Sequence, residues 1–223
     1  MKIPNKAFKI IYAFFSLVLL CLYAGCSTVY LSNRQVSDDI WVCHNTADKA
    51  MMEGNIELGI LLHQRFLEKE SKNALSLYHL GYAYGQTGDY LKEVFYYENA
   101  IALNFKTESI FFNLGMAYGE LRQTEKSIRS LEKALEINPN SPDNHFALGT
   151  AYCQKSIADE LAEKEFLKAI EIDPEHVDAR LYLSIIYADK GEFKKAGKQL
   201  RQILKIDPTH KIAQEYLESI DNE

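Results

Sequence analysis

The chain has 223 residues, 47 % of them apolar and 12 % aromatic, with a formal net charge of −6. That apolar share can bury a core, which excludes a disordered or collagen-like chain, and the length suits one or two domains. Sparse Gly and Pro beside 14 Tyr favour packed helices over loop-rich β structure, so the expected class is all-α.

Lys2, Lys6 and Lys9 precede an uncharged apolar run from Ile10 to Ala24, which is the pattern of a secretory signal. The run closes on LYAGCS, Leu22 to Ser27, with small residues directly before Cys26. This stretch resembles the lipobox of bacterial lipoproteins, although Tyr23 stands where that family usually has Leu. The resemblance implies that residues 1–25 are removed, that Cys26 carries a lipid and that residues 26–39 form a tether. Ser27 after the lipidated Cys implies sorting to the outer membrane, facing the periplasm. An ordinary secretory peptide and an uncleaved membrane helix are the alternatives, because the stretch stays uncharged as far as Asn33 and a bilayer needs about 20 residues. Each of the three puts residues 34–223 outside the cytoplasm. Loss of residues 1–25, which carry three Lys and no acid, leaves 22 basic and 31 acidic residues and a net charge of −9. Nucleic acid is therefore not an expected partner.

From residue 74 onward the chain repeats itself. Leu80-Gly81, Leu114-Gly115 and Leu148-Gly149 superimpose after a shift of thirty-four, each followed by Tyr84, Tyr118 or Tyr152, and Leu183, Ser184 and Tyr187 follow after one extra residue near Ile157 to Glu160. Ala100, Ala134 and Ala169 form one further column and Pro139, Pro174 and Pro208 another. A fixed period in this range signals a solenoid. Gly permits close approach of two helices, Tyr one turn later fills the angle with its hydroxyl at the wet edge, and Pro ends the second helix. Opposite the Gly column stand Ala162 and Ala196, but Ser127 and Glu93 in the earlier repeats, which predicts looser packing around Glu93.

These columns resemble the tetratricopeptide repeat, with its L-G-x-x-Y, Ala and Pro positions. The resemblance implies an α-solenoid of antiparallel helix pairs with repeats at 74–107, 108–141, 142–176 and 177–210. A degenerate repeat is expected at 40–73, where Ala47, Gly54 and Gly59 fill the small and turn positions. A capping helix is expected over 211–223, with Ile212, Tyr216, Leu217 and Ile220 on one side. The first Pro of the series is replaced by Phe105. Repeats advance by roughly 10 Å each, so Cys43 and Cys153 should lie far beyond the ~7 Å limit of a disulfide and serve as partly buried small hydrophobes.

No nucleotide-binding loop, zinc-protease helix, nucleophile elbow or calcium loop is present in the sequence. His145 and Cys153 are eight residues apart on one expected helix, about 12 Å along its axis, which excludes a dyad. His176 and His210 occupy equivalent turns of neighbouring repeats, too far apart for one metal. The reading is a non-catalytic protein with no cofactor and no metal.

Through the tetratricopeptide resemblance, the first helix of each pair lines a concave groove for a segment of another protein. Carried over by register, the groove residues are His44, Asp48, Tyr78, Tyr82, Phe112, Met116, Phe146, Thr150, Leu181 and Ile185. Aromatic side chains so dense suit an interface hot spot or, equally, the core between repeats. Asn113 matches the Asn of family members that clamp the carboxyl terminus of chaperones, but Tyr78, Asp143 and Asp178 stand where other polar or basic residues are required, so that ligand is not expected. Lys194, Lys198, Arg201 and Lys205 follow one another at helical spacing, as a solvated face or as a dock for an acidic protein or anionic lipid. The function expected is an adaptor or assembly factor of the bacterial envelope that binds an envelope protein. A self-assembling envelope protein, a homo-oligomer stacked through the first repeat around Trp41 and Met51, is the alternative.

Overall fold

The computed structural model describes residues 45–155 and 159–221. Cys26, the tether at 26–39, Trp41, Cys43 and His44 lie outside them. Eleven helices occupy the described residues: α1 (Asn45–Met52), α2 (Ile56–Lys69), α3 (Ala74–Gln86), α4 (Tyr90–Ala102), α5 (Glu108–Glu120), α6 (Thr124–Ile137), α7 (Pro142–Cys153), α8 (Asp159–Ile172), α9 (Val177–Asp189), α10 (Phe193–Ile206) and α11 (Lys211–Asp221). Each odd-numbered helix up to α9 packs on the next to make a pair, and the second helix of each pair packs on the first helix of the following pair. This is an all-α solenoid held by neighbour-to-neighbour contacts.

Local chemistry explains where the helices start. The side chains of Asn73, Asp89, Thr107 and Ser141 accept from the backbone N–H three residues on, at 2.8, 3.2, 3.3 and 3.3 Å, and cap α3, α4, α5 and α7. His176 and His210 take the same place with Nδ1, accepting from Ala179 N at 3.2 Å and Ala213 N at 3.1 Å.

The turns inside the α1–α2, α3–α4, α5–α6 and α9–α10 pairs each hold a left-handed residue. Gly54, Gly88 and Gly191 have φ of 79°, 78° and 74°, and Arg122 takes the equivalent place at 55°. Each turn closes on a pair of bonds, as where Arg122 N donates to Gly119 O at 2.9 Å and Gln123 N to Tyr118 O at 2.8 Å. The missing Pro at Phe105 has its explanation in the same geometry. Asn104 adopts φ of 69° and Phe105 N donates back to Ala100 O at 3.0 Å, so a left-handed Asn ends α4 where Pro follows α6, α8 and α10. Phe105 is thereby free to lay its ring 5.3 Å from that of Tyr78.

Packing follows the Gly columns. A Cβ on Gly115 would fall 2.6 Å from Leu131 Cγ, and one on Gly149 would fall 2.6 Å from the Phe166 ring. Around Glu93 the structure departs from the looser packing expected. Glu93 is fully buried, and the Tyr97 ring covers Gly81 so closely that a Cβ there would meet it at 2.5 Å. The Tyr column does more than fill an angle. Tyr84 Oη accepts from Gln64 Nε2 at 3.0 Å, Tyr118 Oη donates to Glu98 at 2.5 Å and Tyr152 Oη to Glu132 at 3.5 Å, so each hydroxyl ties its repeat to the second helix of the one before.

At the C-terminal end α11 covers α10. Ala213 and Ile220 are buried and Tyr216 and Leu217 are packed against the last apolar cluster, whereas Ile212, expected on that side, is 40 % exposed. Cys153, expected to be partly buried, is exposed at the end of α7. Among the described residues no helix is long and apolar enough to cross a membrane.

Candidate functional site

The first helices of successive pairs, α3, α5 and α7, also touch one another, and so form the inner layer of the stack. Side chains on their free side line the surface that this layer presents. Tyr82, Phe112, Met116, Thr150, Leu181 and Ile185 are each partly exposed along four successive first helices.

The other expected groove residues lie beneath that surface. Tyr78 is fully buried, with its ring 5.7 Å from Tyr97 and 5.8 Å from His79. Phe146 is buried among Phe166, His176 and Tyr182, with ring centroids 5.0 to 5.7 Å away. Both form the core between repeats, because the close approach of one pair to the next leaves no room for them at the surface. Asp48 is buried too, against His63 and His79. His44 lies outside the described residues.

Two buried amides border the apolar row. Asn113, beside Phe112 on α5, is buried, and its Oδ1 has no hydrogen-bond partner among the described residues. Asn144 on α7 donates from Nδ2 to Glu108 Oε1 at 2.8 Å, while its Oδ1 likewise has none. Buried acceptors of this kind are costly unless something donates to them. The sequence marked Asn113 only through its match to a family position and did not mark Asn144, since a single Asn at a helical position reads as solvent-facing.

The remaining titratable groups serve structure. His145 places Nδ1 2.7 Å from Glu165 Oε2 and Nε2 3.1 Å from Pro139 O, which locks its ring to the end of the preceding helix pair. Burial and the neighbouring Glu163 carboxylate push the Tyr187 hydroxyl up to about 12. Burial would raise Glu163 itself, but hydrogen bonds from Lys190, at 2.6 Å, and Tyr187 outweigh it and hold the carboxyl below its ordinary value. Lys194, Lys198, Arg201 and Lys205 stand along α10, and all four are exposed. Three groups that the sequence reading did not connect, Asp48, His63 and His79, bring one oxygen and two nitrogens within 4.8 Å of one another.

Tetratricopeptide-repeat profiles match residues 74–107, 109–141 and 160–219, and together these matches span more than half of the chain. The chain belongs to the tetratricopeptide-repeat family. Comparison with curated proteins returned no match. Among solved structures it is similar to YrrB, a TPR protein described as having an unusual peptide-binding site, at 23 % identity and a TM-score of 0.70 over 86 % of this chain and 97 % of that one. It is also similar to MamA from Desulfovibrio magneticus RS-1, at 19 % identity and a TM-score of 0.71 over 79 % of this chain and 99 % of that one. A third is TTC0263, a thermophilic TPR protein of Thermus thermophilus, at 18 % identity and a TM-score of 0.58 over 80 % and 97 % of the two chains. These likenesses establish the tetratricopeptide fold. The family consists of interaction modules, so a protein–protein scaffold is the function that membership carries.

Proposed function

We propose that this tetratricopeptide-repeat protein is a non-catalytic adaptor of the bacterial envelope, holding an extended or helical segment of an envelope protein along its inner layer. The observation that carries this reading is the row Tyr82, Phe112, Met116, Leu181 and Ile185, partly exposed on the first helices of successive pairs. Such a row offers apolar contact to a partner's side chains, which suits peptide recognition. YrrB, with its peptide-binding site, supports the reading by likeness of fold alone.

The envelope location is part of the proposal and rests on the sequence. A lipid on Cys26, after removal of residues 1–25, would fix the adaptor to the outer membrane and turn diffusion of its partner into proximity. The intact mass of the membrane form checks the lipid and the cleavage together.

The groove is tested by a photo-crosslinking residue at Tyr82 in living cells. Capture of one envelope protein, lost when Phe112→Ala is introduced, is the expected result. Capture of nothing, in a chain whose helical circular dichroism is unchanged, would remove the groove reading. A second reading, self-association, is favoured by Met52, Leu91 and Phe95, which are 74 %, 70 % and 57 % exposed. Light scattering on the purified chain separates the two, since the adaptor works as a monomer and the self-assembling form does not.

A further inference from the structure

We propose that Asp48, His63 and His79 form a buried site for a divalent transition-metal ion of the zinc class, whose role is to tie the first three helices together. The three side chains come from α1, α2 and α3 in turn. Their exposures are 3 %, 0 % and 0 %. Asp48 Oδ1 stands 3.0 Å from His79 Nδ1 and 3.3 Å from His63 Nε2, and all three donors lie within 4.8 Å of one another. An ion held at about 2.0–2.2 Å by nitrogen and oxygen ligands sets those ligands roughly 3–3.5 Å apart, so two edges of the triangle already have the right length. The imidazoles meet edge to face, with centroids 5.0 Å apart and planes at 66°, so they converge on the carboxylate and do not stack on each other.

The donor set selects the class of ion. Two imidazoles with one carboxylate suit Zn²⁺ and its neighbours, whereas Mg²⁺ and Ca²⁺ require mostly oxygen. Burial selects the role. Three donors leave one position of a four-coordinate shell for a water, and donors this far from solvent keep substrate from reaching it, so the ion is structural.

The N-terminal helix pair gives such a tie a purpose. α1 is eight residues long, and none of its residues belongs to the three apolar clusters of the described chain; α2 contributes Leu67 at the margin of one. Where the later pairs are joined by apolar core, this pair meets the second repeat through Leu67, the Gln64–Tyr84 hydrogen bond and a carboxylate between two imidazoles. The proposal is independent of what the groove binds.

The test uses the full chain, purified in detergent and stripped of metal by a chelator. One equivalent of Zn²⁺ is expected to bind and, at a hundredfold excess over its dissociation constant, to raise Tm by about 5–10 °C. Co²⁺ is expected to give visible absorption that Zn²⁺ bleaches. His63→Gln and His79→Gln should each weaken Zn²⁺ binding by about 100-fold or more, since loss of a ligand exceeds loss of a supporting contact. Should either variant fail to fold, Asp48→Asn keeps the size of the side chain, removes its charge and should weaken binding likewise. A stripped chain whose Tm ignores Zn²⁺ and whose Co²⁺ complex is colourless overturns the proposal in favour of a hydrogen-bonded His–Asp–His cluster. So does Zn²⁺ binding that survives in the variants, which would place the ion elsewhere.

Discussion

Tyr118 on α5 donates its hydroxyl proton to Glu98 on α4 at 2.5 Å, twenty residues back, and the contact joins one repeat to the one before it. Burial and the carboxylate together push the Tyr118 hydroxyl well above the ordinary tyrosine value, so it stays a donor at every physiological pH. Tyr84 and Tyr152 reach back over the same interval to Gln64 and Glu132, at 3.0 and 3.5 Å. Tyr118→Phe keeps the ring and removes the tie. A loss of about 1 kcal/mol is expected in urea unfolding, and a smaller loss for Tyr152→Phe with its longer contact.

Arg122 holds a φ of 55° in a turn where three other repeats have Gly. A side chain there costs about 1–2 kcal/mol, part of which Gly returns through the greater freedom of its unfolded chain. Arg122→Gly should therefore raise stability by about 0.5–1 kcal/mol, a gain of about 1–4 °C in Tm for a chain this size. Gly88→Ala, at φ of 78°, should lower it by a similar amount. Scanning calorimetry of both variants reads the pair of opposite signs, and a fall in Tm for Arg122→Gly would refute the turn argument.

His176 caps α9 with Nδ1 and packs its ring 5.0 Å from that of Phe146. Removing the cap by His176→Ala should cost about 1 kcal/mol, whereas His176→Asn restores the acceptor and should recover most of it. Chemical denaturation distinguishes a cap from a purely aromatic contact, since Asn rescues only the former.

Glu163 and Lys190 give a pH dependence of known sign. The folded carboxyl lies below its ordinary value of 4.5, so the stability it contributes is present above that pH and is lost as pH falls through the lower folded value. The folded Lys190 lies above its ordinary value of 10.5, so its share is present below that pH and fades only in stronger base. The Lys190 and Glu163 side chains are 30 % and 23 % exposed, and solvent limits the pair to about 0.5–1 kcal/mol. Lys190→Met should lower stability by that amount at pH 7 and by less at pH 3. An equal loss at both would assign the effect to packing alone.

Much of the solenoid was legible in the residues because its rules are local. Gly81, Gly115 and Gly149 mark close helix approach, Tyr84, Tyr118 and Tyr152 mark the wet edge, and Pro139, Pro174 and Pro208 mark helix ends; each works through neighbours within a turn or one helix hairpin. Asn104 was legible in principle as a left-handed residue, yet only beside Phe105 does its role as a substitute for Pro become clear.

The groove was legible as a register and not as a surface. Tyr78 and Tyr82 are one turn apart and chemically alike, but the fit of the next helix pair buries the first and leaves the second partly exposed. A side chain's place on the inner or the covered side depends on how far one repeat rotates on the next, which no single repeat encodes.

Composition, period and the punctuation of Gly, Tyr and Pro thus determine an all-α solenoid, because these follow from backbone sterics and one-turn contacts. Only the tertiary structure decides that Glu93 is buried, that Tyr97 packs tightly over Gly81, that Asn113 is buried beside Phe112, and that Asp48, His63 and His79 meet. Those three lie fifteen and sixteen residues apart on separate helices, and what brings them to one point is the packing of α1, α2 and α3 against each other.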